Sequence, residues 1–184
     1  MEKEFKLAEQ ADLALLSEII TKIDMSSDDQ LQDLALDEMD KKQPALHNLA
    51  RFLYLQKEFS MDQMMEITRL LVLVWLYYKE KRKVPNVKIA DPLYVEMRKK
   101  YEAFTDKMDG KSAEHNKHLM DDYLKEYPGR FLYGQLHRII FSEKDNKLAS
   151  LSQADKAFLM SNFKIMMDCF ETMVDRPATL SHFN

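Results

Sequence analysis

The sequence has few of the residues that interrupt regular structure. Its 184 residues include only 3 glycines and 5 prolines. A β-rich or α/β fold of this length uses glycine at many turns, because glycine adopts backbone angles that other residues avoid. The scarcity therefore favours long helices. Three isolated glycines also exclude a glycine-rich phosphate loop, and with it P-loop NTPases and dinucleotide-binding folds.

Cysteine and long apolar runs are scarce as well. Cys169 is the single cysteine, so no disulfide forms within the chain, as is typical of proteins in a reducing compartment. It lies in the apolar segment MMDCFETM, which indicates a core position rather than a nucleophile. The longest apolar run, residues 70–78, is far shorter than the ~20 residues of a membrane-spanning helix. We expect a cytoplasmic protein that does not enter a membrane.

Neither sign of charge dominates. The 27 basic and 31 acidic residues leave a net charge of -4, and the isoelectric point is about 5.8. This balance gives no global attraction to nucleic acid or to an anionic membrane. Hydrophobic residues make up 46% of the chain, which is typical of a globular domain rather than a disordered one.

Apolar residues recur every three or four positions along most of the chain, which predicts an all-α domain of seven or eight helices. The first two helices should carry Leu13 and Leu34 on their apolar faces. Ser27 with Gln30, and Ser60 with Gln63, have the spacing of a capping box at a helix start. No segment alternates apolar and polar residues for long enough to predict a strand.

Two very apolar helices, residues 61–83 and 152–175, should form the centre of the fold. The first is apolar on every side between residues 70 and 78, so several neighbours should cover it. Of the chain's 13 methionines, six interior to these two helices are of interest: Met64, Met65, Met160, Met166, Met167 and Met173. We interpret them as core filling; the alternative is a methionine-lined groove or self-association surface.

The segment VPNVKIAD at residues 84–91 breaks the helical pattern. It predicts a connector, either within one domain of residues 1–184 or between closely packed halves, 1–83 and 92–184. Asp91 and Pro92 form a cap and first-turn pair for the next helix. Asp109 and Gly110 should end that helix.

A nearly identical hexamer occurs twice, as RFLYLQ at residues 51–56 and RFLYGQ at residues 130–135. The similarity barely extends beyond the hexamers. We interpret the pair as convergent packing, with Leu53 and Leu132 on core faces and the arginines and glutamines facing outward. A decayed duplication and a repeated binding element are the alternatives.

Arg130 and His137 are seven residues apart, so two helical turns place both near one helix face. This Arg-x6-His spacing resembles the signature of HEPN-type ribonucleases, which are all-helical. The resemblance implies that Arg130 steadies phosphate charge and that His137 serves in acid–base cleavage of RNA. Phe131 stands where that family prefers a polar residue. The other interpretation is a pair of surface residues on an amphipathic helix.

Two further patterns suggest ligands. His115 and His118, at i and i+3 in EHNKH, offer two imidazoles to a metal, although a closed site needs three or four ligands. The basic run KEKRK offers phosphate contacts for a nucleic-acid-binding hypothesis. Its cations also belong at a helix C-terminus, where they oppose the macrodipole. The candidate phosphate contacts are Lys79, Lys81, Arg82, Lys83 and Lys88.

The second helix carries an acidic stripe that offers a surface to a basic partner. The stripe consists of Asp29, Asp33, Asp37 and Asp40. Taken together, the sequence predicts a non-catalytic, cofactor-free cytoplasmic interaction or regulatory domain that binds a protein partner or itself. RNA cleavage through Arg130 and His137, and nucleic-acid binding through residues 79–100, are the alternatives.

Overall fold

The computed structural model describes residues 2–25, 30–44, 48, 59–81, 88–142 and 146–175. Over these residues the chain forms seven α-helices and one π-helical turn, with no strand. This confirms the all-α prediction. The helices are α1 (Glu2–Met25), α2 (Gln30–Lys42), α3 (Met61–Lys81), α4 (Asp91–Thr105), α5 (Ala113–Lys125), α6 (Arg130–His137) and α7 (Gln153–Asp175), with the π-helical turn Arg138–Ser142 directly after α6. None of these described helices is long and apolar enough to cross a bilayer.

The helix ends follow the local sequence closely. At α3 the backbone N–H of Ser60 donates to Gln63 Oε1 at 2.8 Å, and the N–H of Gln63 donates to Ser60 Oγ at 3.3 Å, so the predicted capping box is confirmed. The start of α4 was predicted one residue too late. Ala90 is its N-cap, and Asp91 is already helical, with Pro92 in the first turn.

The end of α4 comes earlier than the sequence indicated. The helix stops at Thr105, and the chain turns through residues 106–110 before α5. Gly110 has a φ of 66°, which glycine adopts without the steric cost that a Cβ would add. Ser112 then caps α5 by accepting a hydrogen bond from the N–H of His115 at 3.2 Å.

Helix α3 lies at the centre of the fold. Every residue from 70 to 78 is buried, which confirms that neighbours surround this stretch. Helices α1 and α2 pack against α3, α6 contacts α1, α3 and α7, and α4 packs along α7. The division into two halves at the connector stays a prediction.

The methionines of α7 fill the core, since Met160, Met166, Met167 and Met173 are all buried. On α3, by contrast, Met65 is half-exposed. Core filling is thus confirmed for α7.

Two leucines expected on apolar faces are instead exposed, Leu13 at 49% and Leu34 at 68%. At roughly 100° per residue they lie about 90° and 120° around their helices from the buried stripes. Those stripes run through Leu16, Ile19 and Ile23 on α1, and through Ala35 and Met39 on α2.

Several predictions fall on residues outside the described ranges. They concern the Ser27 cap, the first hexamer and its Leu53, and the first half of the connector, residues 84–87. The second hexamer begins α6. Its Leu132 is fully buried, as predicted for the core face, while Arg130 and Gln135 are half-buried rather than fully outward.

Candidate functional site

A cleft of about 490 Å³ lies between α4 and α7. Tyr94 and Tyr101 of α4 and Phe158 of α7 give it aromatic walls. Arg98 and Asn162 add polar groups. A mainly apolar cavity of this volume with a few fixed polar groups is typical of small-molecule sites.

Hydrogen bonds hold the polar wall of the cleft in place. The Asn162 side chain is buried, and its Nδ2 donates to the carbonyl of Phe158 at 2.8 Å. Its Oδ1 accepts from the hydroxyl of Tyr94 at 3.4 Å. The hydroxyls of Ser161 and Tyr101 are 3.3 Å apart. These contacts link side chains of α4 and α7 along the cleft.

At the solvent edge of the cleft, Arg98 Nε donates to Glu102 Oε1 at 2.8 Å. More than half of each side chain is exposed. An ion pair in this position contributes little to stability. The guanidinium is therefore available to exchange Glu102 for an anionic group of a ligand.

A second cavity, of about 260 Å³, lies on the other side of Tyr101. Phe104 of α4 and Tyr123 of α5 form part of its wall, and Asp168 and Glu171 of α7 face it. The two cavities share Tyr101. Carboxylates line both of them, Asp91 and Glu102 in the first and Asp168 and Glu171 in the second, but the first also has amide and hydroxyl groups.

A buried charged cluster lies behind this second cavity. The Lys164 side chain is 1% exposed and pairs with Asp168, which is 17% exposed. Lys164 Nζ also donates to the hydroxyl of Tyr123 at 2.5 Å. Burial lowers the pKa of Lys164 and raises that of Asp168, although each group's partner opposes the shift.

The cluster extends to the core through Tyr78 and Glu171. The hydroxyl of Tyr78 donates to Glu171 Oε1 at 2.9 Å. Burial, reinforced by the Glu171 carboxylate, raises the pKa of Tyr78 well above its ordinary value. The hydroxyl of Tyr127 lies near Tyr78 and Asp168. This hydroxyl forms no hydrogen bond of regular geometry with a described residue.

Helical spacing explains how the cluster assembles on α7. Lys164, Asp168 and Glu171 follow one another at i, i+4 and i+7, so they share one face. Sequence reasoning missed all three. The available signal was the presence of charged residues within a segment whose other residues are almost entirely apolar.

The structure places Arg130 and His137 at opposite ends of α6. Arg130 pairs with Glu9 and donates to the carbonyl of Lys125 at 2.6 Å. The exposed His137 ring stacks on Phe141, with centroids 4.7 Å apart. RNA cleavage by these two residues stays a prediction.

The other candidate ligands are dispersed over the surface. His115 and His118 are exposed on α5, and the described residues contain no group of three or more His, Cys, Asp or Glu side chains suited to a metal ion. Lys79 and Lys88 are exposed, and Lys79 pairs with Glu38. The side chains of Lys81, Arg82 and Lys83 lie outside the described part of the chain.

Of the acidic stripe, Asp33, Asp37 and Asp40 are exposed on α2. Asp29 is not among the described residues. The stripe therefore keeps three placed members as a candidate partner surface.

No protein-family model matches this sequence, and no curated protein or solved structure matches it either. A helical fold by itself supports many functions, so the residues of the site are the guide to function.

Proposed function

We propose that this chain is a non-catalytic helical domain with a regulatory role, and that it binds a small amphipathic molecule in the cleft between α4 and α7. The observation that carries this proposal is the cleft of about 490 Å³. Two of its aromatic walls, Tyr94 and Tyr101, form hydrogen bonds with Asn162 and Ser161 of α7. Binding there would bridge α4 and α7, so a ligand would stabilise the packing of these two helices.

The ligand class follows from the lining. Tyr94, Tyr101 and Phe158 favour a planar or aromatic body, because aromatic pairs gain attraction beyond their buried area. Arg98 at the rim favours an anionic group that takes the place of Glu102, since its fork of N–H donors matches a carboxylate or sulfonate. Asp91 and Glu102 also line the cleft, so an acidic group suits only the position next to Arg98. A planar molecule with one acidic substituent therefore fits this cleft best.

An anilinonaphthalene sulfonate dye has this chemistry and reports binding by its fluorescence. We expect one dye per chain, with affinity that falls as salt rises, because Arg98 contributes a charge interaction. The variant Ser161→Phe places a ring in the cleft and should weaken binding at least about tenfold, roughly 1.4 kcal/mol. Ser161→Ala is the matched control, which loses the hydroxyl but leaves the volume open.

The result that contradicts the proposal is dye affinity unchanged by Ser161→Phe, or lowered equally by Ser161→Ala. Circular dichroism of each variant establishes that the helices are intact, so that a loss of binding reports on the cleft. The protein-partner, RNA-cleavage and nucleic-acid roles stay predictions from the sequence.

A further inference from the structure

Asn162 places a buried amide in the wall of the cleft between α4 and α7. The residue is 7% exposed and lines the cleft together with Tyr94 of α4. A buried polar side chain is costly unless its donors and acceptors are matched. The hydrogen bonds that Asn162 forms therefore indicate what the cleft can still bind.

Two hydrogen bonds fix the orientation of this amide. Nδ2 of Asn162 donates to the carbonyl of Phe158 at 2.8 Å. A carbonyl oxygen only accepts hydrogen bonds, so the nitrogen end of the amide must face it. At the other end, the hydroxyl of Tyr94 donates to Oδ1 at 3.4 Å. Burial raises the pKa of Tyr94, so this hydroxyl keeps its proton.

The amide retains half of its hydrogen-bonding capacity. A carboxamide has two N–H donors and two acceptor lone pairs. Within the described part of the chain, the contacts with Phe158 and Tyr94 use one donor and one lone pair. One N–H and one lone pair of Asn162 therefore remain for a ligand of the cleft.

The remaining N–H and lone pair belong to neighbouring groups of a single amide. A ligand that satisfies both must carry an acceptor and a donor on neighbouring groups as well, as a lactam or the edge of a nucleobase does. This end of the ligand should be neutral, because a charge beside a buried amide is costly. The acidic substituent belongs at Arg98, whose side chain is more than half exposed.

The two polar contacts are a short distance apart along α4. Tyr94, which contacts Asn162, and Arg98 are separated by about one helical turn, roughly 6 Å along the axis. A fused two-ring system spans a similar distance. The aromatic side chains of Tyr101 and Phe158 line the same cleft, and they offer apolar surface to such a ring system.

We propose that Asn162 selects the ligand of this cleft, and that the ligand is a fused heterocycle with a lactam-type edge and one acidic substituent. This inference rests on the function proposed above and adds the polar edge of the ligand to it. The lactam carbonyl accepts from Nδ2 of Asn162, and the lactam N–H donates to Oδ1. The acidic substituent takes the place of Glu102 at Arg98.

A quinolone carboxylate and naphthoate form a matched pair of probes. Both have a fused two-ring body and one carboxylate, but only the quinolone has the neighbouring N–H and C=O groups. Calorimetric titration of the full chain measures both dissociation constants. We expect the quinolone carboxylate to bind at least about tenfold more tightly, because naphthoate leaves the buried amide unmatched.

Methylation of the quinolone nitrogen removes the donor of the ligand without any change to the protein. The N-methyl quinolone carboxylate should bind several-fold more weakly than its parent, because Oδ1 of Asn162 then receives no hydrogen bond from it. Methylnaphthoate, with the methyl group at the corresponding ring position, is the control for added bulk. It should bind about as well as naphthoate.

Two variants of the protein locate the selection. Asn162→Leu replaces the amide by a branched apolar group of similar shape, and should abolish the preference for the quinolone while naphthoate still binds. Ser161→Ala removes a neighbouring hydroxyl of the same cleft and should leave the preference unchanged. Because the preference is a ratio measured on one protein, a general loss of stability does not produce it. If Asn162→Leu does not fold, the methylated probe provides the test on the wild type.

The inference is overturned if the wild type binds the quinolone carboxylate and naphthoate equally, or if Asn162→Leu keeps the preference. It is overturned as well if the protein binds the dye but neither probe. Dye binding that responds to Ser161→Phe would in each case leave the function proposed above intact. If neither the dye nor either probe binds, both proposals fail.

Discussion

Replacement of Gly129 by alanine is a direct test of how tightly the centre of the fold is packed. Gly129 is the buried N-cap of α6, with a φ of −87° that alanine adopts freely. A Cβ built there would lie 2.9 Å from the Tyr78 hydroxyl and 3.0 Å from Cε1 of Tyr127. Carbon atoms in comfortable contact are about 3.5–4.0 Å apart. The effect of the substitution is therefore steric and not conformational.

The neighbours of Gly129 differ in how easily they move. The Met167 methyl group, 2.9 Å from the added Cβ, is the end of a flexible side chain and can turn aside. Tyr78 cannot, because it is fully buried, stacked on Phe170 with centroids 4.7 Å apart and hydrogen-bonded to Glu171. We expect Gly129→Ala to lower the free energy of unfolding by about 1–3 kcal/mol, the usual cost of overpacking.

Gly134 provides a matched control within α6. A Cβ there would have no atom within 4 Å outside its own helix, so Gly134→Ala should raise the free energy of unfolding by up to about 1 kcal/mol through helix propensity. Urea denaturation followed by circular dichroism measures both changes. For a chain of this size, 1 kcal/mol corresponds to about 2–4 °C in melting temperature. If Gly129→Ala is as stable as the wild type, the packing argument is refuted.

Two further predictions concern titration and reactivity. Although burial alone would raise it, hydrogen bonds from Lys42 and Lys79 lower the pKa of Glu38 from 4.5 to about 2. The lowered folded-state pKa stabilises the protein above pH 4.5, and this stabilisation is lost as pH falls toward 2. The stability advantage of wild type over Glu38→Gln, below about 1 kcal/mol at this partly exposed site, should therefore shrink over that interval in acid titrations of unfolding. An advantage that does not change with pH would contradict this. Burial, with a smaller contribution from Asp168, raises the pKa of Cys169 to about 12. A thiol reagent should therefore label Cys169 slowly in the native protein and fully in denaturant. Rapid labelling of the native protein would contradict this, because it would show the thiol to be accessible.

Local signals in the sequence account for most of the fold. The Ser60 capping box, the positive φ of Gly110 and the all-round burial of residues 70–78 each depend on residues adjacent in the chain. The misplaced residues, Leu13 and Leu34, lie about 90° and 120° around their helices from the buried stripes. There, the crossing of neighbouring helices decides which side chains are covered, and periodicity does not resolve this.

The candidate sites were far less predictable. The sequence predicted candidate sites at Arg130 with His137 and at His115 with His118, because the spacing of each pair resembles a known motif. The residues of the buried cluster, Lys164 and Glu171 among them, belong to no recognisable motif. Asn162, which fixes one wall of the larger cleft, is likewise an ordinary polar residue in an apolar helix.

By itself, the sequence determined that this protein is helical, that residues 70–78 occupy its centre and that glycine-rich phosphate loops are absent. These properties follow from composition and from periodicity within single helices. Only the tertiary structure decided that α4 and α7 form walls of two cavities. It also decided that Tyr123 contacts the buried Lys164–Asp168 pair, and that Tyr78 contacts Glu171 on the same face of α7. The cluster joins residues from three separate helices. The spacing of residues within one helix carries no information about which other helix its side chains will contact.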